Sequence, residues 1–284
     1  MTEKIRVLVF GTVGTGKTSL CNTLSGADEA VSNQARGVTF TSKVFKPFED
    51  KESGKSIELV DTAGLNEAES GNVPGQEAIK QLAQLLKNSE EGYNLLIQVF
   101  RASSITALEI DNYDLFVKRV ANSRIPVILV VTGCELSDPM SEWREKNRIY
   151  FEKSHLIYKD IICTCFAKGD ERASLGASLE AIYALLREES RRAVLTAITT
   201  YAGETVTFYD TTGQDSEMSF GKMLSRVWEF CRERLNLPLL GEMATEALVQ
   251  FLINVLGFDE PAARTAVNIF KRDQTSQTSS EEDW

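Results

Sequence analysis

Residues 11–18 read Gly11-Thr-Val-Gly-Thr-Gly-Lys17-Thr18, and this stretch decides the fold. It matches G-x-x-x-x-G-K-[ST] in full, follows an apolar run at residues 5–10 and opens a helical pattern at 18–24. That strand–loop–helix context is the one the motif requires. A polyphosphate carries several negative charges and many acceptor oxygens. Glycines let the backbone wrap closely, so that consecutive amides point inward as an anion nest. The helix N-terminus adds positive potential. Gly11, Gly14, Thr15, Gly16, Lys17, Thr18 and Ser19 are therefore the predicted phosphate-binding residues. Lys17 is expected to bridge the β- and γ-phosphates, and the Thr18 hydroxyl to take a Mg²⁺ coordination site.

Moving outward, Glu58-Leu-Val-Asp61-Thr62-Ala63-Gly64 places an acid at the end of a later strand. Asp61 is predicted to hold Mg²⁺ through water, and the Gly64 amide to meet the γ-phosphate. A second D-x-x-G, Asp210-Thr-Thr-Gly213, lacks a buried strand before it and reads as a turn. Between the two phosphate motifs lies Arg36-Gly37-Val38-Thr39-Phe40-Thr41. A loop here would cover the γ-phosphate, with Thr39 as Mg²⁺ ligand and sensor and Thr41 as the alternative. Both threonines also suit entry into an edge strand. Lys17, Thr39 and Gly64 form the expected catalytic set.

Base choice is read beyond a strand ending Val130-Val131-Thr132-Gly133-Cys134-Glu135. The Glu135 carboxylate can accept two hydrogen bonds from guanine N1 and N2. Adenine offers no such donor pair, so GTP is favoured over ATP. The usual guanine-reading pattern is [NT]-K-x-D; here Gly133 replaces the lysine and Glu135 the aspartate. Further on, the Ala167 amide is a candidate reader of guanine O6, with Lys168 flanking the ring.

Strand and helix patterns alternate from residue 4 to about 190. Strands are predicted at 5–10, 43–48, 56–60, 94–100, 126–131 and 161–166. Helices are predicted at 18–24, 77–86, 104–120, 141–151 and 179–186, with Ser141 as an N-cap. Pro47 assigns 43–48 to an edge, paired as a hairpin with 56–60. The fold class is thus α/β: a P-loop NTPase with a mostly parallel six-stranded sheet and one antiparallel edge strand. The character changes after Arg192, where 220–235, 242–256 and 260–270 show helical apolar spacing. The expected division is 1–192 for the nucleotide-binding domain, 193–272 for a small helical extension and 273–284 for a disordered acidic tail.

Composition narrows the function. The 284 residues are 43% hydrophobic and 25% charged, which is ordinary globular usage. With 31 basic and 41 acidic residues the net charge is −10, which disfavours nucleic acid or an anionic membrane as partner. A single histidine, His155, excludes multi-histidine metal sites. No uncharged apolar run approaches the ~18 residues of a transmembrane helix. Five irregularly spaced cysteines fit a reduced, cytoplasmic protein. Cys163 and Cys165 read as buried strand cysteines, with a redox or metal pair as the alternative.

Taken together, these motifs resemble the septin-related immune-associated nucleotide-binding (IAN/GIMAP) GTPases. The phosphate loop with Asn22 and Gly26, Gly37-Val38-Thr39, Asp61-Thr-Ala-Gly64-Leu65, Thr132-Gly-Cys-Glu135 and Phe166-Ala-Lys168 carry the likeness, over about residues 4–190. The departures are Thr18 for serine, Ala63 for proline and Glu135 for aspartate. The resemblance implies GTP/GDP, Mg²⁺, a homodimer formed across the switch face under nucleotide control, and a helical C-terminal extension. Leu65 stands where Ras-like proteins carry a water-aligning glutamine. Slow basal turnover is therefore expected, on the order of 10⁻⁴–10⁻² s⁻¹. Arg36 is a candidate finger in cis or across the dimer. The alternative is a non-hydrolysing nucleotide-binding assembly module.

Overall fold

The computed structural model describes residues 3–12, 14–28, 43–62, 89, 91–102, 105–167 and 176–210. It also describes 219, 222–223, 225–227, 229–230, 246, 249, 260–261, 264 and 267–268. Seven strands form one sheet: β1 (Lys4–Phe10), β2 (Lys43–Val44), β3 (Phe48–Glu49), β4 (Ser56–Asp61), β5 (Leu95–Arg101), β6 (Val127–Thr132) and β7 (Ile161–Cys163). The order is β2-β4-β1-β5-β6-β7, with β3 also on β4. β1, β4, β5, β6 and β7 run parallel, and β2 and β3 pair antiparallel with β4.

The single edge strand expected at 43–48 is two short pieces. Lys43 and Val44 face Asp61 and Val60, whereas Phe48 and Glu49 face Ile57 and Ser56. The register thus slips by one residue across Phe45–Lys46–Pro47, a bulge placed where proline offers no ladder N–H. This accounts for seven strands where the sequence predicts six.

Alternation within the strands divides the core between the two sheet faces. Val7, Val9, Leu59, Ile97, Val99 and Val130 pack under helix α1 (Lys17–Ser25) and the long α4 (Gly176–Tyr201). Leu8, Phe10, Leu96, Phe100, Leu129 and Val131 pack on the opposite face, with side chains of α2 (Ala107–Tyr113), its continuation Asp114–Val120 and α3 (Glu142–Lys153). Near-continuous apolar strands are what a sheet covered on both faces demands.

α2 begins at 107 and not at 104, because the Glu109 carboxylate accepts the Thr106 amide at 2.9 Å in a capping box. Beyond Tyr113 the helix widens into π-type turns, and it ends with Ala121 N donating to Phe116 O at 3.1 Å. Ser141 occupies the predicted N-cap position of α3, but its side chain makes no cap hydrogen bond. The change of character read at Arg192 falls inside α4, which runs on to Tyr201. Beyond it, Val206 makes an isolated antiparallel bridge with Tyr93.

Of the C-terminal segment, the described residues 222–223, 225–227, 229–230, 246, 249, 260–261, 264 and 267–268 are helical. Met223, Val227, Phe230, Val249 and Val267 are buried in the α2–α3 side of the core. The expected helix at 77–86 and the acidic tail at 273–284 lie outside the described residues. Among the described residues no helix is long and apolar enough to cross a membrane.

Candidate functional site

Parallel pairing aligns the carboxyl ends of β1, β4 and β6, and the candidate site is built there. Val9 pairs with Asp61, and Thr62 donates from both its amide and its hydroxyl to Val9 O, at 2.9 and 3.0 Å. The phosphate loop leaves β1 at Gly11, whose φ is +150°, and a Cβ there would lie 2.4 Å from Val99 O. Only glycine lets the loop pass this close to β5. At the other end Gly16 caps α1 in a left-handed conformation, φ +95°. A Cβ on Gly16 would meet the Thr132 methyl at 3.2 Å.

Lys17 is buried and donates from Nζ to Gly11 O and Thr12 O, both at 2.9 Å. Its ammonium thus lies across the mouth of the loop. The Thr18 hydroxyl donates to Asp61 Oδ2 at 2.9 Å. Asp61 Oδ1 is buried with no hydrogen-bond partner. Burial raises the Asp61 carboxyl above its ordinary value, against the opposing pull of Lys17 and the Thr18 hydroxyl. A buried carboxylate oxygen without a donor, beside a hydroxyl and next to an anion nest, is a fitting donor set for a hard divalent cation shared with a phosphate. Gly14 (φ +75°), Thr15 and Ser19 complete the loop and the first turn of α1.

The base-reading end is tied directly to this loop. The Thr132 hydroxyl donates to Thr15 O at 2.6 Å. Gly133 has φ +79°, so the glycine that stands in the lysine position also makes the turn out of β6. Glu135 Oε2 is buried without a hydrogen-bond partner, as a carboxylate awaiting donors would be. The Cys165 thiol lies against the Ala167 amide and Glu135, and burial pushes its pKa up. Arg187 Nη1 donates to Ala167 O at 2.6 Å and so holds the backbone at Ala167.

The structure therefore brings Gly11, Gly14, Thr15, Gly16, Lys17, Thr18, Ser19 and Asp61 together at one end of the site, and joins Thr132 to them. Glu135 and Ala167 meet at Cys165. Thr39, Gly64 and Lys168 lie outside the described residues, as do Arg36, Thr41 and Leu65. Sequence reasoning missed the Thr132–Thr15 contact and the packing of Cys163 into the core cluster that holds Cys134. Cys165 turns to Glu135, so Cys163 and Cys165 are not a mutual pair. Among the described residues no cluster of three or more His, Cys, Asp or Glu side chains is placed to hold a metal.

A phosphate loop between β1 and α1, at the carboxyl end of a mostly parallel sheet, defines a P-loop NTPase fold. Residues 6–133 match the family model described as 50S ribosome-binding GTPase. GTPase Der of Syntrophotalea carbinolica is 29% identical over 185 residues, which is 63% of this chain and 39% of that protein. This chain thus spans about two fifths of that relative's length. Similar solved structures include Era in complex with MgGDPNP and a 16S ribosomal RNA segment (21% identity, TM-score 0.48, 66% of this chain and 58% of that one). Arabidopsis thaliana Toc33 with Mg²⁺ and GMPPNP is another (20% identity, TM-score 0.42, 67% of this chain and 86% of that one).

Proposed function

We propose that this chain binds GTP and GDP with Mg²⁺ at the phosphate loop and hydrolyses GTP slowly. The observation that carries the reading is the Asp61 carboxylate, bonded through one oxygen to Thr18 and left without a partner at the other, beside Lys17. In this reading Lys17 exchanges its two carbonyl partners for phosphate oxygens. Thr18 and Asp61 hold the cation, Asp61 through water. Mg²⁺, when bound, supplies positive charge to the phosphate oxygens. Thr39 and the Gly64 amide complete the γ-phosphate contacts, a role supported by their motifs alone. Glu135 takes the guanine N1 and N2 donors, supported by its unpartnered Oε2. The Ala167 amide and Lys168 complete the base contacts.

Within this class two branches compete. The motifs at 37–39 and 132–135 support the immune-associated branch, with its homodimer across the switch face. The family model and the Der relative support a Der/Era-type assignment. Specific activity that rises with protein concentration supports completion in trans, and a flat line removes the dimer. A cytoplasmic location and the division into domain, helical extension and tail are part of the same proposal. Burial of Met223 and Val227 in the main core supports an extension packed on the first domain.

Competition binding of GTP, GDP and ATP tests the reading, with Lys17→Ala as control. Glu135→Gln places amide hydrogens against the guanine donors. It should lower the GTP-over-ATP preference about 10- to 100-fold, the worth of hydrogen bonds to a charged group. An unchanged preference removes Glu135 from base recognition. A second reading, nucleotide held without hydrolysis, is favoured by Leu65 in the place of glutamine. Single-turnover hydrolysis separates the two.

A further inference from the structure

We propose that Cys134 and Cys163 form an oxidisable dithiol at the base-reading end of the site, in which Cys163 is the thiol attacked by a hydroperoxide and Cys134 closes the disulfide. Cys163 is the last residue of β7 and pairs with Val131 of β6. Cys134 lies three residues beyond Val131, and its amide donates to Thr164 O at 3.1 Å. The two backbones are therefore in neighbouring register, and both side chains belong to the same core cluster on one face of the sheet.

Their environments assign different roles. Cys163 is half-buried and lines a cavity of about 660 Å³ together with Glu135, Arg144 and Leu186. Arg144 sits in the first turn of the twelve-residue α3, and its guanidinium lies near the Cys163 sulfur. The adjacent Cys134 and the Arg144 cation favour the thiolate, so the Cys163 thiol is held below its usual value. Cys134 is buried, donates its hydrogen to Val131 O at 3.5 Å, and is driven up by Cys163 and by burial. Cys21 and Cys165 are buried, and burial raises both thiols.

The chemistry balances without a metal. The Cys163 thiolate attacks the terminal oxygen of the hydroperoxide. An S–O bond forms, the O–O bond breaks, and the leaving alkoxide or hydroxide takes a proton. Cys134 then attacks the Cys163 sulfur, the S–S bond forms, the S–O bond breaks, and the hydroxyl leaves as water with the Cys134 proton. Two thiols are oxidised to one disulfide, and one peroxide is reduced to an alcohol or water plus water.

A disulfide fixes its two β-carbons at ~3.8 Å with a defined dihedral. Drawing Cys134 to this geometry pulls on the neighbouring Glu135. Oxidation should therefore weaken guanine-nucleotide binding, a consequence that rests on the proposed function, whereas formation of the disulfide does not.

The test treats the reduced full chain with a small excess of hydrogen peroxide, alkylates the remaining thiols and maps peptides by mass. The expected product is a Cys134–Cys163 linked pair that dithiothreitol reverses. Cys134→Ser should stop at a Cys163 sulfenic acid trapped by dimedone, and Cys163→Ser should leave Cys134 alkylatable. Should Cys134→Ser fail to fold, peptide mapping of the unsubstituted protein still decides. Oxidation shared evenly with Cys165 and Cys21, or both named thiols remaining alkylatable, overturns the proposal. Oxidised protein should bind GTP about tenfold more weakly, the loss of one charge-assisted hydrogen bond. Reductant should restore the affinity, and Cys163→Ser should be insensitive to peroxide. A formed disulfide with unchanged affinity overturns the coupling to Glu135. A reduced chain that binds no GTP overturns the nucleotide reading while the peptide map still judges the dithiol.

Discussion

At the scale of single residues the site is governed by what cannot be substituted. A Cβ at Gly11 would sit 2.4 Å from Val99 O, inside any permissible contact. Gly11→Ala should cost about 3 kcal/mol or more, since backbone in a packed sheet yields little. Gly14 has open space and pays only for its positive φ, so Gly14→Ala should cost about 1–2 kcal/mol. Urea denaturation of both variants checks the ordering, and equal losses would contradict the crowding at Val99. The residues legible in the sequence are those whose type the chemistry dictates: Gly11, Lys17, Thr18, Asp61, Thr132 and Glu135. The contacts that were not legible join distant segments, as when Thr132 reaches Thr15 across 117 positions. Spacing along the chain carries no trace of such a bond. Cys163 illustrates the same limit: alternation points to Cys165, two residues away, but β6 brings in Cys134.

At the scale of elements, the turn from β3 to β4 carries its own pH dependence. Asp50 Oδ2 accepts the Ser53 hydroxyl at 2.5 Å and the Ser53 amide at 3.0 Å. Burial would raise the Asp50 carboxyl, but these donors outweigh it and hold the group below its ordinary value. A depressed carboxyl stabilises the fold above the unfolded-state pKa, and that contribution is lost as pH falls through the folded value. Ser53→Ala should therefore cost about 1 kcal/mol near neutral pH and converge with the unsubstituted protein near pH ~2. Urea midpoints at the two pH values check this; a constant difference would sink it. The polar turn and its hairpin are visible in the sequence because Asp, Ser and Gly cluster there. The bulge at Phe45–Pro47 is not, since alternation gives no sign of where a register slips. The widening of the helix after Tyr113 has no sequence signal we can name.

At the scale of the whole molecule, the end of the sheet opposite the site is clamped by buried charge. Arg6 Nε bonds Glu58 Oε2 at 2.6 Å between β1 and β4, both side chains being about 90% buried, and Lys4 reaches Glu58 at 3.1 Å. Arg6 also lies over the Tyr93 ring at 4.9 Å. Removing Arg6 takes from the buried Glu58 its shorter ion pair and leaves it only the partly exposed Lys4. Arg6→Ala should therefore cost about 2–3 kcal/mol, whereas Arg6→Met combined with Glu58→Leu should cost much less. A double-mutant cycle by chemical denaturation checks the non-additivity. The sequence shows Arg6 only as an interruption in an apolar run, with no hint of its partner on another strand. On the other face, partly exposed charges tie residues beyond 210 to the sheet's covering helix, Arg119 pairing with Glu229 at 3.1 Å and Arg226 donating to Arg119 O at 3.0 Å.

The continuity of α4 through Arg192 has a practical corollary. Stopping translation at that residue would remove Val194, Leu195, Ala197 and Ile198, which are buried in the core on the face of the sheet that α4 shares with α1. It would also strip Asn94 of Gly203 O and Thr205 Oγ1, its acceptors at 3.1 and 2.9 Å. A shortened gene meant to yield a nucleotide-binding fragment for biophysics should retain everything up to Asp210. Trimmed at 192, the product should aggregate.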